Sequence, residues 1–340
     1  MKHHLYGLFL AAVLLGVHQL SAQDVHFSQR LAQNNQRNPV LRGDFEGSWR
    51  AATVYRSQWQ SIGVPFESSG LWFTKTILTG LSDYTFFGGF AYQNDQSGDS
   101  KLQGDFLQLH FGGFRELGAH KFGLGIQSGV VQKQFNPNGL TFPVQYDRSI
   151  GRFNEELDNG EGTFGNTFSY FDLGIGISWE MQVRRGLSVS AALSSNNFLE
   201  SEEGFFAEGQ KRERSYESQL GARIRAQNDW EYRPYFAYYY SQGASEGIIG
   251  SSVTLPFEYR NLIKDLSPFL MFRTAPGRNT DAIIVGSTVG LQNFQFGVSY
   301  DFNISELELA SNYRGGFEIT LVYTAPFPKP QNLRLPCVRY

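Results

Sequence analysis

Hydrophobic and polar residues alternate at every second position along much of this chain. In residues 171–179, aromatic and aliphatic side chains occupy one face, whereas Asp172, Gly174, Gly176 and Ser178 occupy the other. Successive side chains of a β-strand point to opposite sides, so this pattern predicts strands with one apolar face and one polar or bare face. The same alternation recurs at residues 122–127, 294–302 and 317–323.

The alternating segments, bounded by turn residues, predict about fourteen strands. These strands are expected at residues 47–59, 67–76, 83–93, 104–115, 120–133, 168–180, 187–197, 217–227, 231–242, 247–259, 266–274, 282–291, 294–303 and 316–324. Connections after even-numbered strands are brief, whereas the longest insertions, 134–167 and 198–216, follow odd-numbered strands. Long and short connections should therefore emerge from opposite ends of one sheet.

The alternation by itself fits two architectures. In a soluble sandwich the apolar faces meet one another, whereas in a transmembrane barrel they meet lipid and the polar faces line a lumen. The barrel is favoured by the placing of the long connections, by glycines on the polar faces and by aromatic residues near strand ends. Those aromatic residues are Trp59, Trp72, Tyr92, Trp179, Trp230, Tyr300 and Tyr323. We therefore predict an all-β fold, with a transmembrane antiparallel β-barrel at residues 47–324.

The composition agrees with this prediction. The chain is 15% aromatic and 18% charged and contains 37 glycines, which suits strands whose outer faces meet an apolar phase. The net charge of -3 gives no electrostatic signature of nucleic-acid binding. The single cysteine, Cys337, excludes an internal disulfide framework.

Three segments are predicted outside the barrel. Residues 1–22 have a positive start, a short apolar run and a small-residue ending, which predicts a secretory signal peptide. Residues 23–46 form a polar arm, and residues 325–340 form a proline-rich tail that cannot extend a ladder. The interior of such a wide barrel must be wet, plugged or occupied. We expect that either the arm or the 134–167 loop folds inward as a plug.

Candidate polar groups of the lumen are few. His110 alternates with Leu109 and Phe111 and should point inward, but no serine partner for nucleophilic catalysis is identifiable. Arg223 and Arg225 share an inward face, where they would select anions or bind a plug through its carboxylates. The acidic clusters in the long loops lack EF-hand spacing. The sequence therefore predicts no catalytic residue, no cofactor and no metal site.

Several motifs resemble the PorP/SprF family of outer-membrane barrels. They are His26-Phe27-Ser28-Gln29 with Asn38, Pro39 and Gly43 in the arm, Tyr55, Arg56, Gln58 and Trp59 in the first strand, and Asp172, Gly174 and Gly176 after the longest loop. The order of signal peptide, arm, barrel and cysteine-containing tail is also similar. Val40 departs from the family pattern, which usually has alanine after Asn-Pro.

The resemblance implies a non-enzymatic outer-membrane component of the type IX secretion and gliding machinery. The placing of the connections predicts a periplasmic amino terminus, because every long connection then lies outside the cell. Its partners would be outer-membrane lipid, other secretion components, or a secreted adhesin held by its C-terminal secretion domain. One branch of the family joins the core export machinery, and the other accompanies or anchors exported adhesins, which is the role favoured here. The alternatives are a channel for small or hydrophobic molecules and, less favoured, a phospholipase-type membrane enzyme that would use His110.

Overall fold

Fourteen antiparallel strands close into a barrel in the computed structural model, as the sequence predicts. The structure describes residues 27–29, 37–60, 63–78, 83–97, 102–135, 143–154, 157, 167–205, 210–259, 262–276, 279–306 and 311–328. The predicted signal peptide, His26 and most of the predicted tail, including Cys337, lie outside these ranges. The barrel strands are β1 Trp49–Gln58, β2 Phe66–Leu78, β3 Tyr84–Ser97, β4 Leu102–Leu117, β5 His120–Gln134, β6 Thr167–Arg184, β7 Leu187–Asn196, β8 Ser215–Arg225, β9 Glu231–Ser241, β10 Ala244–Tyr259, β11 Ile263–Ala275, β12 Asn279–Leu291, β13 Phe294–Asn303 and β14 Arg314–Ala325.

The barrel closes between the first and last strands. Each strand pairs with its neighbours in chain order, and β1 pairs with β14 from Trp49 opposite Ala325 to Gln58 opposite Gly316. A closed barrel leaves no sheet edge, so every strand has a partner on both sides. Two-residue ladders lie outside the barrel in the long connections, at Tyr146–Asp147 with Arg152–Phe153 and at Glu202–Glu203 with Gln210–Lys211.

Most predicted strand ends were correct to within two residues, but β3, β6, β10, β11 and β12 extend three or four residues further at one end. The strands β1, β7 and β9 stop before Trp59, Asn197 and Gln242, whose φ angles are 61°, 55° and 47°. The left-handed backbone of these residues cannot continue a ladder. Conversely, Ala325 belongs to β14 and not to the tail, because it pairs with Trp49.

The two ends of the barrel differ, and the predicted placing of the connections is confirmed. Brief connections at 79–83, 118–119, 185–186, 226–230, 260–262 and 292–293 form what we call the turn end. The opposite end, the loop end, carries the connections 59–65, 98–101, 135–166, 197–214, 242–243, 276–278 and 304–313. The chain enters β1 from the turn end and leaves β14 there.

The outer face is apolar and the inner face is mainly polar. Leu109, Leu270 and Ile249 are each more than half exposed on the outside, whereas Gln108, His110 and many other polar side chains are buried inside. Among the predicted interfacial aromatic residues, Trp72 was placed wrongly. Its side chain is 6% exposed and packs on the inner face, because it lies on the same face of the strand as Gly70 and Thr74. The described residues include no helix long and apolar enough to cross a bilayer.

Two arginine substitutions on the outer face of β6 test whether the apolar belt contacts lipid. Ile175 lies near the middle of the strand and Val183 at its turn end, and both are exposed. A guanidinium at the bilayer midplane costs about 2–4 kcal/mol, but only about 0–1 kcal/mol near the interface. Urea unfolding in lipid vesicles should therefore show a larger loss of unfolding free energy for Ile175→Arg than for Val183→Arg. Equal losses would contradict a lipid-facing belt.

Candidate functional site

The N-terminal arm, here residues 27–29 and 37–48, lies against the inner wall of the barrel. Phe27 packs in a buried apolar cluster with the inward side chains Ala52, Val54, Trp72, Ala91 and Val322. Val40 packs in another with Phe87 and Phe114. Because these wall residues come from β1 to β4 and β14, the arm supplies the apolar contacts that one wall cannot make with itself.

A group of buried charges, which we call the charge cage, surrounds the first part of the arm. It consists of Arg56, Arg273, Asp301 and Glu318, all at most 2% exposed. The Arg56 guanidinium lies 2.8 Å from Asp301 and 3.4 Å from Glu318, and Arg273 lies 3.0 Å from Asp301. Arg273 also pairs with Asp281 on the adjacent strand. Removing one partner of such a buried pair leaves an uncompensated charge, which typically costs about 3–5 kcal/mol.

The charge cage binds Ser28 and Gln29 through main-chain and side-chain atoms. The backbone N–H groups of Ser28 and Gln29 donate to the two carboxylate oxygens of Glu318, at 2.7 and 2.9 Å. The Ser28 hydroxyl donates to Asp301 (2.9 Å) and accepts from Arg56 (2.7 Å). The Gln29 side-chain amide donates to the Glu318 carbonyl and accepts from the Thr320 hydroxyl. The backbone N–H groups and the side chains of Ser28 and Gln29 therefore all have hydrogen-bond partners.

The next part of the arm passes over glycines of the inner wall. A Cβ on Gly125 would lie 2.6 Å from the backbone N and Cα of Val40, and one on Gly176 would lie 2.1 Å from Asn38 Oδ1. Asn38 forms a turn, since its Oδ1 accepts from the Val40 N–H, and its Nδ2 donates to the Leu193 carbonyl. Because Gly125 and Gly176 have no side chain, the inner wall leaves room for the Asn38-Pro39 turn.

A short helix, Leu41–Gly43, follows this turn and contacts β2 and β3. A Cβ on Gly43 would lie 2.1 Å from the Phe87 ring, so this position requires glycine unless the ring moves. Arg42 donates to Gln108 (2.9 Å) and approaches His110 Nδ1 (3.5 Å). Burial lowers the pKa of Arg42 to about 10, an effect that Asp172 opposes. Arg42 therefore stays charged at neutral pH.

The other sequence-predicted lumen residues connect to this part of the arm. Asp172 accepts from Gln108 (3.1 Å) and from the Asn197 N–H (3.0 Å). His110 Nε2 lies 2.8 Å from the Thr74 hydroxyl, and its Nδ1 lies 3.5 Å from the Arg42 guanidinium. Gly174 faces the Asn196 amide, which donates to the Arg37 carbonyl. A histidine that acts as a base is oriented by a third group, and the group at Nδ1 of His110 is the guanidinium of Arg42, which has no acceptor.

Arg223 and Arg225 lie apart from the arm, at the turn end. Their side chains are at least half exposed and pair with Glu231 of the neighbouring strand, at 3.6 and 3.3 Å, and Arg233 also contacts Glu231. Arginines that contact the described part of the arm include Arg56 and Arg273. Nearby, Lys121 donates to Asp44 of the arm at 2.6 Å.

The described residues of the lumen line cavities, of which two border the arm. One, of about 170 Å³, is lined by Leu41, Asp44, Lys121, Arg223 and Tyr235, among others. The other, of about 140 Å³, is lined by Gln29, Ser252, Met271, Thr288 and Gln295, among others. Both lie on the turn-end side of the charge cage and have space for water.

The connection between β7 and β8 contacts the barrel at the loop end. Glu203 in this connection pairs with Lys133 of β5 and with Arg212. Burial raises the pKa of the Glu203 carboxyl, but the charges of Arg212 and Lys133 outweigh burial and lower it overall. Among the described residues, no group of three or more His, Cys, Asp or Glu is arranged to hold a metal ion.

The motif residues of the first strand have different environments. Arg56 belongs to the charge cage and donates to Gln58, whereas Tyr55 points outward and donates to Glu67. Trp59 directly follows the strand, and its N–H donates to the Gly315 carbonyl. Sequence reasoning missed Arg273, Asp301 and Glu318 as parts of a site. The only signal was the alternation of side chains. Asp301 and Glu318 alternate with aromatic residues and therefore lie on the opposite face of their strands.

Comparisons with known proteins agree with this architecture. A family model described as type IX secretion system membrane protein PorP/SprF matches residues 19–323. The P. putida toluene transporter TodX has 9% identity and a TM-score of 0.52, with 86% of this chain and 93% of that chain covered. The Ralstonia pickettii toluene transporter TbuX has 10% identity and a TM-score of 0.48, with 86% and 92% covered. A Pseudomonas aeruginosa FadL homologue has 9% identity and a TM-score of 0.42, with 84% and 92% covered. No curated protein sequence matches the chain significantly.

Substituting alanine for Gly125 tests whether the arm is seated on the glycines of the wall. The added Cβ would collide with the Val40 backbone, so the arm should leave its position. Arg42 is 5% exposed, and trypsin should cleave after it about tenfold faster in Gly125→Ala than in the original protein.

The matched control is Gly88→Ala, whose Cβ would approach nothing closer than 3.4 Å. Its cleavage rate should equal that of the original protein. Mass spectrometry of the released fragment identifies the cut. Equal rates in both variants would show that the arm does not depend on the bare position at Gly125.

Proposed function

The chain belongs to the PorP/SprF family of type IX secretion system membrane proteins, and we propose that it is a non-enzymatic outer-membrane barrel of this system that docks or anchors a secreted surface protein. Its partners are a secreted adhesin with a C-terminal secretion domain, components of the export machinery and the surrounding lipid. The loop end faces the outside of the cell. The turn end and the amino terminus face the periplasm, because outer-membrane barrels have short periplasmic turns and longer outer loops.

The occupied lumen is the observation that carries this proposal. A diffusion pore needs a continuous aqueous path, but Phe27, Ser28 and Val40 are buried between the walls of this barrel. The arm is held by charged groups and by apolar clusters, so opening the lumen would break both. A barrel closed in this way is suited to hold a partner at its surface.

The loop end supplies a surface for such a partner. Val144, Ile150 and Leu199 are each at least half exposed in the connections at this end. Exposed apolar side chains in protruding loops commonly mark protein contacts. The Glu203 ion pairs attach one of these loops to the barrel, which reduces the ordering cost of binding.

A channel for small or hydrophobic molecules is the second candidate. It is favoured by the fold shared with the toluene transporter TodX of P. putida and by the two cavities below the charge cage. In this function the arm would be a gate, and the cavities would be part of a pathway.

Photocrosslinking in intact cells separates these functions. A photoreactive residue at Leu199, on the loop end, should capture a large exported surface protein, identified by mass spectrometry. The matched control carries the same group at Gly118, in a turn-end connection, where capture of that surface protein is not expected. Purified full-length protein should give no steady current in planar bilayers. No captured protein together with steady conductance would favour the channel and contradict docking.

A further inference from the structure

We propose that the inner wall of the barrel contains a peptide-binding site for an aromatic–hydroxyl–amide tripeptide. Phe27, Ser28 and Gln29 occupy this site within the chain, and the same three groups on a separate polypeptide can occupy it when they are absent. The arm is then an internal ligand of the lumen, and the site has three parts with different chemistry.

The aromatic part of the site is apolar and shaped for a ring. The Phe27 ring meets the Trp72 ring edge to face, with centroids 6.0 Å apart and an angle of 89°. Ala52, Val54 and Ala91 leave room for the ring because their own side chains are small. Edge-to-face contacts add specificity beyond the area buried.

The hydroxyl part of the site selects a side chain that both donates and accepts. Ser28 Oγ donates to Asp301, and it accepts from Arg56 at 2.7 Å and Arg273 at 3.3 Å. A hydroxyl has one donor and two acceptor positions, so this arrangement uses all of them. Alanine would leave the three partners without this contact, and a carboxylate would repel Asp301.

The third part of the site binds the main chain and a side-chain amide. Glu318 accepts from two consecutive backbone N–H groups, which requires one backbone conformation but no particular side chain. The Gln29 amide adds specificity, because it donates to the Glu318 carbonyl (2.9 Å) and accepts from Thr320 (2.8 Å). A Cβ on Gly297 would lie 2.2 Å from Gln29 Oε1, so this bare position makes room for the amide.

The wall holds these groups in place without the tripeptide. Arg56 and Arg273 pair with Asp301 directly, and Arg273 also pairs with Asp281, so strands β1, β11, β12 and β13 fix the charges. A preorganised site loses less free energy on binding than one that the ligand must order. The tripeptide itself belongs to no barrel strand, so its exchange breaks no ladder.

Binding of a free peptide tests this inference. The probe is a fluorescein-labelled peptide with the sequence of residues 24–31, added to a purified variant that lacks residues 23–31. Fluorescence anisotropy should show saturable binding to this variant and none to the full chain, whose site is occupied. Peptides with Ser28→Ala or Phe27→Ala should bind about tenfold more weakly or worse, because each loses a buried contact.

The wall controls are Glu318→Gln and Glu180→Gln in the shortened variant. Glu318→Gln should weaken binding about tenfold or more because it removes the charged acceptor. Glu180→Gln changes a carboxylate at the turn end of β6 and should leave binding unchanged. Heat-dependent gel mobility checks that each barrel is folded. Absent binding, or equal binding to both wall variants, would overturn the proposal.

If the shortened chain does not fold, the full chain carries a protease site inserted between Arg30 and Arg37. After folding and cleavage, the labelled peptide should exchange with the cut fragment, and failure to exchange would equally overturn the proposal. The outcome does not depend on docking at the loops, so each proposal can fail by itself.

Discussion

A closed barrel of fourteen strands is wider than its inner side chains can fill, and the rest of the structure follows from this constraint. Without the arm, charged residues on the inner face, such as Arg56 and Glu318, would face open water or lack some of their hydrogen-bond partners. The arm solves this by bringing backbone N–H groups, a hydroxyl and an amide to those charges. It also brings Phe27 and Val40 to the apolar parts of the wall.

Two kinds of contact attach the arm to the inner wall of the barrel. Near the charge cage, hydrogen bonds to buried ions fix its position, and such bonds are stronger than neutral ones. Over Gly125 and Gly176, the attachment is steric, because the wall has no side chain where the backbone passes. The secretion function proposed above needs a barrel that stays closed while it holds a partner, and both attachments favour this state.

Most of the fold could be predicted from the sequence because its signals are local. Period-two alternation assigns each side chain to a face, and the segment from Phe171 to Trp179 appears in the structure with Asp172, Gly174 and Gly176 inside. The alternation of brief and long connections gives the two ends of the barrel. Errors at Trp59, Asn197 and Gln242 arose because positive φ at non-glycine residues leaves little trace in the sequence.

The candidate site was harder to predict because its members are distant along the chain. Ser28 and Glu318 are 290 positions apart, and closure of β1 on β14 brings them together. The alternation of side chains along the strands indicates that Asp301 and Glu318 face inward, but it does not indicate what they contact. Trp72 shows the same limit, since an aromatic residue on the inner face resembles an interfacial one until its partner Phe27 is known.

Chemical accessibility of Val40 tests most directly whether the arm fills the lumen. In a Cys337→Ser background, a bulky water-soluble maleimide is reacted with Val40→Cys or with Glu46→Cys, an exposed position of the same arm. Val40 has 0% exposure, so its cysteine should react only after the barrel is unfolded, whereas the cysteine at position 46 reacts in the folded protein. Equal reaction rates in the folded protein would contradict an arm enclosed by the barrel.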